Sequence, residues 1–129
     1  MGVYMIIFGV QDNPIVGDIS HNVDLILSYR RSLRGKCDLI VFSECFVSGY
    51  PLGDLVMNQG FLNRVREGID KIILDVNEED GPAVLVTAPL QGPGKPYNGA
   101  LLIDVDSVQV TYKHHLPNEL VYDEVRTFM

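Results

Sequence analysis

The sequence predicts an α/β fold whose mixed sheet combines parallel strands, joined by helices, with a final antiparallel hairpin. Short apolar runs typical of buried parallel strands alternate with two longer segments whose apolar residues recur near a 3.6-residue period. Two further apolar runs, separated by a short polar turn, predict the hairpin. With 129 residues and 47% hydrophobic content, the chain is expected to form a single packed unit.

The first part of the chain predicts a strand, a helix and a second strand. Residues 3–9 are apolar enough for a buried first strand. Ser20 is placed to cap a helix with apolar residues at helical spacing, and Gly35 is placed to end it. Residues 37–44 then predict a buried strand that ends at Glu44.

The second part predicts a helix, a strand and the hairpin. Residues 62–76 carry an apolar stripe with polar residues between its members, as expected for an amphipathic helix. Residues 83–88 predict a further buried strand, and residues 99–105 and 108–112 bracket a turn at positions 106–107. Strands that alternate with helices imply right-handed crossovers and a parallel core.

Two charged residues stand where predicted strands end. Glu44 follows one apolar run, and Lys113 closes the last strand shortly before Pro117. Because ligands bind beyond the carboxyl ends of strands in open α/β sheets, Glu44 is a candidate acid or base. Taken alone, each of the two is more often a solvated loop charge.

Short motifs surround these charges throughout the chain. In order, they are Gln11 to Asp18, Phe42-Ser43-Glu44, Ser48 to Pro51 with Asp54, Pro96 to Ala100, Lys113 to Asn118, and Asp123-Glu124. Together they resemble the carbon-nitrogen hydrolase (nitrilase) superfamily, in particular the glutamine-hydrolysing N-terminal domain of glutamine-dependent NAD synthetases. The resemblance implies the N-terminal half of a nitrilase-like αββα sandwich.

The resemblance also implies a Glu-Lys-Cys triad. It places the triad's glutamate on Glu44 and its lysine on Lys113. A second glutamate near the triad falls on Glu124, for which a surface loop charge is about as good an interpretation. The family's cysteine nucleophile lies downstream of the lysine segment, beyond Met129. We therefore expect residues 1–129 to be a partial glutaminase domain that is inactive by itself.

The two cysteines of the chain do not match that nucleophile. Cys37 is expected to pack as a small hydrophobic residue. Cys45 follows Glu44 directly, and a thiol beside a carboxylate could in principle be activated. Neighbouring side chains on extended backbone point to opposite faces, so we expect Glu44 not to reach the sulfur of Cys45.

Three residues bear on substrate binding. Tyr50 and Tyr122 match aromatic residues that could line the family's pocket, although packing in the core or at the rim is an equally good interpretation. Glu119 stands where similar sequences of the family commonly carry an aromatic residue that helps to hold the substrate, which puts glutamine binding in question.

Two alternative functions stay open. One is an amidase of the superfamily that acts on another small amide, and the other is a non-catalytic remnant or regulatory fragment.

The resemblance implies particular cofactors and partners. The glutaminase step is expected to need no cofactor, whereas ATP and an NAD precursor would bind at a synthetase module absent from this chain. The complete protein is expected to be a homo-oligomer that takes glutamine or another small amide and delivers ammonia to NAD synthesis.

Composition argues against several other function classes. A net charge of -7 without a basic stripe disfavours nucleic-acid binding. The apolar runs are shorter than the roughly 20 residues that span a bilayer. The adjacent His114 and His115 have no further ligands at metal-binding spacing, so no metal site is expected. Two cysteines without a disulfide framework favour the cytoplasm.

The one basic cluster, at positions 30–36, lies on and just past a helix end, where positive charges interact favourably with the helix dipole.

Half of a sandwich leaves sheet surface uncovered. We expect the exposed apolar positions to lie in three of the strands and to promote self-association. The residues concerned are Leu39, Val41, Val84, Val86, Leu101 and Ile103.

Overall fold

The computed structural model describes residues 4–113 and shows one five-stranded sheet with helices against it. The strands are β1 (Ile7–Gly9), β2 (Leu39–Val41), β3 (Ala83–Leu90), β4 (Tyr97–Asp104) and β5 (Ser107–Tyr112). Between them lie α1 (Ile19–Ser32), a short 3₁₀ helix (Gly53–Met57) and α2 (Gln59–Glu78). The strand order in the sheet follows the order in the chain, β1-β2-β3-β4-β5.

The strand directions confirm the predicted mixed sheet. β1, β2 and β3 are parallel, and β4 and β5 extend the sheet as an antiparallel hairpin. The turn occupies Val105 and Asp106, because Ser107 already pairs with Asp104 in the strand ladder. Asp106 has a φ of 55°, which an aspartate tolerates better than most side chains.

The first strand is shorter and less buried than the sequence predicts. Only Ile7–Gly9 pairs with β2, and Ile7 and Phe8 are 57% and 41% exposed. Among the residues that the structure describes, β1 has a neighbouring strand on one side only. An apolar run therefore predicts a strand here but does not show that both of its faces are buried.

The helix boundaries are set by side-chain caps. Asp18, rather than the predicted Ser20, caps α1, since its carboxylate accepts a hydrogen bond from the His21 N–H at 3.1 Å. α1 ends at Ser32, and Gly35 lies in the following turn with a φ of 73°. The Asn58 side chain caps α2 by accepting a hydrogen bond from the Phe61 N–H at 2.9 Å.

Both helices pack on the same face of the sheet and enclose the core. α1 and α2 approach closely at Gly68, where a Cβ atom would lie 2.9 Å from side-chain atoms of Ile19 and Val23. A larger residue at position 68 would therefore force these side chains to move. The fully buried core side chains include Ile26, Ile40, Phe46, Val65, Ile72, Val84, Val86 and Ile103.

The opposite face of the sheet is apolar and partly exposed. Because side chains alternate along each strand, residues next to the buried ones point away from the helices. These residues are Leu39, Val41, Leu85, Ala100 and Leu102. The expected list of uncovered residues was therefore wrong at four positions, since Val84, Val86, Leu101 and Ile103 lie under the helices.

Arg30 departs most from its sequence-based interpretation. Its side chain is buried in an ion pair with Asp75, and its guanidinium also donates to the carbonyls of Pro82, Asp75 and Glu79 at 2.9 to 3.1 Å. The cation does meet helix carbonyls, but those near the end of α2 rather than of its own helix. Arg30 therefore joins the two helices.

Candidate active site

The candidate site lies beyond the carboxyl end of β2. The chain leaves the strand at Val41 and turns through residues 44–48. The carbonyl of Cys45 accepts hydrogen bonds from the N–H groups of Ser48 and Gly49 at 3.1 and 2.7 Å. This turn buries the side chain of Cys45 while that of Glu44 stays 43% exposed.

Thr87 of β3 holds this turn against the sheet. Its hydroxyl accepts a hydrogen bond from the Cys45 N–H. The same hydroxyl donates to the carbonyl of Ser43 at 3.4 Å. The backbone on both sides of Glu44 is therefore anchored to the neighbouring strand.

The structure brings the two predicted strand-end charges together. The Nζ atom of Lys113 lies 2.9 Å from Oε1 of Glu44. The carboxamide of Asn98 donates a second hydrogen bond to the same oxygen, also at 2.9 Å. A carboxylate that can accept a proton thus lies beside a cation that can stabilise developing negative charge.

Asn98 is the contact that the sequence interpretation missed. The motif around it was noted, but no role was assigned to the residue. Asn98 is only 4% exposed, and its backbone carbonyl accepts a hydrogen bond from the Lys113 N–H at 2.9 Å. The available signal was an amide side chain near the start of an otherwise apolar strand.

The backbone argument about Cys45 was wrong. Cys45 does not lie on extended backbone but has a φ of 52° within the turn. Its sulfur is buried and lies 3.6 Å from Oδ1 of Asn98. Cys37 is partly buried and packs against the core as expected, and this burial raises the pKa of its thiol.

Tyr50 shares a cleft with Glu44. The cleft has a volume of about 540 Å³. Its lining residues are Gln11, Asp12, Asn13, Pro14, Ser43, Glu44 and Tyr50. Glu44 also lines a second cleft of about 240 Å³, together with Asn98 and Lys113. Glu44 therefore stands where two concave surfaces meet, which is favourable for contact with a small ligand.

Asn22 fastens the loop before α1 to the turn that carries Glu44. The Asn22 carboxamide is fully buried and donates to the carbonyls of Ile15 and Val47 at 2.8 and 3.1 Å. It also accepts a hydrogen bond from the Ile15 N–H at 2.7 Å. Gly49 lets the two segments touch, because a Cβ atom there would lie 2.5 Å from Cα of Val16.

Asp12, at the rim of the larger cleft, accepts a hydrogen bond from the Tyr29 hydroxyl at 2.8 Å. This bond, with one from the Asn13 N–H, lowers the pKa of the Asp12 carboxyl. The same contact raises the pKa of Tyr29. The hydrogen bond therefore favours the ionised form of Asp12 and the protonated form of Tyr29.

Three predicted site residues, Glu119, Tyr122 and Glu124, lie outside the described residues, as do His114 and His115. Their roles remain predictions. Within positions 4–113, no group of three or more His, Cys, Asp or Glu side chains could hold a metal ion. Over the same part of the chain, no helix is both long and apolar enough to cross a membrane.

Comparison with protein families matches residues 9–129 to the family described as carbon-nitrogen hydrolase. The chain belongs to the carbon-nitrogen hydrolase family. Among its relatives are two glutamine-dependent NAD(+) synthetases. The one from Xanthomonas campestris is 32% identical over 116 residues, covering 88% of this chain and 20% of the relative. The one from Aquifex aeolicus is 34% identical over 125 residues, covering 92% and 21%. The chain spans about one fifth of the length of these relatives.

Solved structures of this family share the fold. A glutamine-dependent NAD+ synthetase from Acinetobacter baumannii superposes with a TM-score of 0.82 at 29% identity, covering 97% of this chain and 24% of that one. An amidase from Nesterenkonia sp. gives a TM-score of 0.79 at 23% identity, covering 100% and 49%. The mixed sheet with two helices is thus consistent with part of the αββα sandwich of carbon-nitrogen hydrolases, and the fold prediction is confirmed.

Proposed function

We propose that this carbon-nitrogen hydrolase chain contributes Glu44 and Lys113 to a site that hydrolyses the side-chain amide of glutamine. In the complete protein, the ammonia would then serve NAD synthesis. The observation that supports the proposal most is the 2.9 Å contact between Lys113 Nζ and Glu44 Oε1 beyond the end of β2. The relatives named glutamine-dependent NAD(+) synthetase support glutamine as the amide.

The reaction follows from the chemistry of the pair and a thiol supplied by residues beyond this chain. A thiol is mostly protonated at neutral pH, so Glu44 accepts its proton as the thiolate attacks the amide carbon. Lys113 stabilises the resulting oxyanion. Glu44 returns the proton to the leaving nitrogen, and ammonia departs. Water, activated by the same carboxylate, then hydrolyses the thioester to glutamate and restores the thiol.

The remaining site assignments belong to the same proposal. Tyr50 contacts the substrate in this proposal, and its position in the lining of the larger cleft with Glu44 supports that role. We assign Tyr122 and Glu119 to substrate binding and Glu124 to a supporting role beside the Glu-Lys-Cys triad. The glutaminase step uses no cofactor, and ATP and an NAD precursor bind at a synthetase module outside this chain. The complete protein is a homo-oligomer.

The decisive experiment measures ammonia release by a protein that contains residues 1–129 followed by the rest of a carbon-nitrogen hydrolase domain. Glu44→Gln and Lys113→Met should each lower kcat by about a hundredfold or more, because a general base or an oxyanion-stabilising group contributes on that order. Asp24→Asn and Lys71→Met are matched controls. They alter an exposed pair, 3.4 Å apart, outside the residues assigned to the site.

Near-normal turnover in a folded Glu44→Gln or Lys113→Met protein would refute the assignment of the pair. A panel of amides tests the substrate separately. Glutamine should be hydrolysed with the highest kcat/KM. A clear preference for another small amide would instead identify an amidase of the superfamily with a different substrate.

A further inference from the structure

We propose that Asn98 is a positioning residue that sets the relation between Glu44 and Lys113. Its Nδ2 atom donates to Glu44 Oε1, and its backbone carbonyl accepts the Lys113 N–H, each at 2.9 Å. One residue of β4 therefore contacts both members of the ion pair. The inference rests on the proposed function, in which that pair carries out the chemistry.

Cys45 fixes the orientation of the Asn98 amide. A carboxamide can be turned by 180°, but its oxygen would then face the carboxylate of Glu44 and be repelled. In the observed orientation, Oδ1 of Asn98 faces the Cys45 sulfur at 3.6 Å, where a thiol can donate a weak hydrogen bond. Both side chains are almost fully buried, so this arrangement is shielded from competing water. Cys45 thus acquires an orienting role rather than that of a nucleophile.

The bond from Asn98 also distinguishes the two oxygens of Glu44. Asn98 Nδ2 and Lys113 Nζ both donate to Oε1, which fixes the plane of the carboxylate from two directions. The second oxygen, Oε2, carries neither of these bonds, and we assign it to proton transfer. If the carboxylate of Glu44 were displaced by about 1 Å, the reaction rate should fall on the order of a hundredfold.

Two substitutions at position 98 distinguish the effect of hydrogen bonding from that of side-chain volume. They are made in the protein used to test the proposed function. Asn98→Leu keeps the approximate volume and the backbone bond to Lys113 but removes the side-chain contacts with Glu44 and Cys45. Asn98→Asp keeps the shape but replaces the amide donor by an acceptor. Each should lower kcat ten- to hundredfold and change KM for the amide by less than about threefold. Ile103→Ala is the control, since Ile103 is buried in the same strand but lies under the helices. It should lower the melting temperature and leave kcat, measured well below that temperature, within about twofold.

A second measurement does not depend on activity. In the same protein, hydrogen exchange of the Asn98 side-chain amide, followed by NMR, should accelerate at least about tenfold in Glu44→Ala, because the acceptor is gone. The side-chain amide of Asn22 bonds to the carbonyls of Ile15 and Val47 and should keep its exchange rate. An Asn98 rate that does not respond to Glu44→Ala would overturn the proposed contact, even if the Asn98 variants fail to fold.

The outcomes also separate this inference from the proposed function. If Glu44→Gln leaves turnover intact, the proposed function fails, whatever the Asn98 variants do. If Glu44→Gln abolishes turnover while both Asn98 variants keep kcat within about threefold of the parent, the positioning role is refuted and the proposed function stands. An effect confined to KM would likewise refute positioning, because it would show that Asn98 serves substrate binding.

Discussion

Lys113 Nζ lies 2.9 Å from Glu44 Oε1 although the two residues are 69 positions apart in the sequence. Glu44 follows β2 and Lys113 follows β5, and two other strands lie between these in the sheet. The pair therefore depends on the correct register of the parallel core and of the hairpin. The Lys113 and Glu44 side chains are 31% and 43% exposed, so water screens their attraction.

We expect the pair to matter for catalysis far more than for stability. Lys113→Met should change the free energy of unfolding by less than about 1 kcal/mol, as for other exposed ion pairs. Urea denaturation measures this change, and Lys71→Met provides the comparison from the surface pair with Asp24. A loss of several kcal/mol would instead make Lys113 a structural residue, and its effect on turnover would need another explanation.

The fold was largely predictable because its signals are local. Apolar periodicity located both helices and β2 to β5, and the change from helix-linked strands to a short polar turn identified the hairpin. The boundaries were less accurate, because they depend on contacts with distant residues. Ser20 is a good capping residue by type, but Asp18 takes the role next to Gly17, whose N–H donates to the Ser48 carbonyl.

The face of each strand was harder to predict than the strand itself. An apolar run does not reveal which alternate residues the helices cover, so Val84 and Leu85 look equivalent in the sequence although only Val84 is fully buried. The site shows the same limit. Glu44 and Lys113 could be proposed from their positions at strand ends, but the contact of Asn98 with Glu44 spans 54 residues and exists only in the folded sheet.

We predict that purified residues 1–129 release no ammonia from glutamine above background, even with ATP and an NAD precursor present. Cys45 is buried against Asn98, and Cys37 precedes β2, at the opposite end of that strand from Glu44. Neither thiol is therefore placed for attack on an amide beside Glu44. Saturable activity that disappears in Cys45→Ser would contradict this prediction and make Cys45 a nucleophile.

Arg30 should be among the most important residues for stability. Arg30→Met leaves the carboxylate of Asp75, together with three backbone carbonyls, without their buried donor. Loss of one partner of a buried pair costs about 3 to 5 kcal/mol. Arg31→Met is the control, because Arg31 is exposed and its loss should change stability by about 0.5 kcal/mol or less. Equal effects in chemical denaturation would contradict the buried role of Arg30.

The contact between Asp12 and Tyr29 should make the stability of the protein depend on pH under both acidic and alkaline conditions. The pKa of Asp12 is lowered, so the stabilisation is present above the ordinary carboxyl pKa of about 3.9 and is lost as the pH falls through the folded value. The pKa of Tyr29 is raised, so the stabilisation is present below about 10 and is lost as the pH rises through the folded value.

Tyr29→Phe should therefore be less stable than the parent between about pH 5 and pH 9, and the difference should shrink outside that window. Denaturation at three pH values, one inside the window and one beyond each end, measures this. The Asp12→Asn background is the control, because Tyr29→Phe should there lose its pH dependence. A difference that is the same at all three pH values in the parent background would show that the hydrogen bond is not formed in solution.

The apolar face of the sheet turned away from the helices should cause residues 1–129 to self-associate. Leu85 and Leu102 are paired across β3 and β4 on this face and are partly exposed. Leu85→Lys with Leu102→Glu replaces apolar surface by charge, and the two charges can pair across the strands so that the sheet is kept. The double substitution should therefore shift the chain toward monomer in sedimentation and reduce binding of a dye for apolar surface. Leu74→Lys, on the exposed side of α2, is the control and should leave self-association unchanged. A monodisperse parent chain with a cooperative melt and no dye binding would show that these residues form a complete unit, and the half-sandwich interpretation would then be wrong.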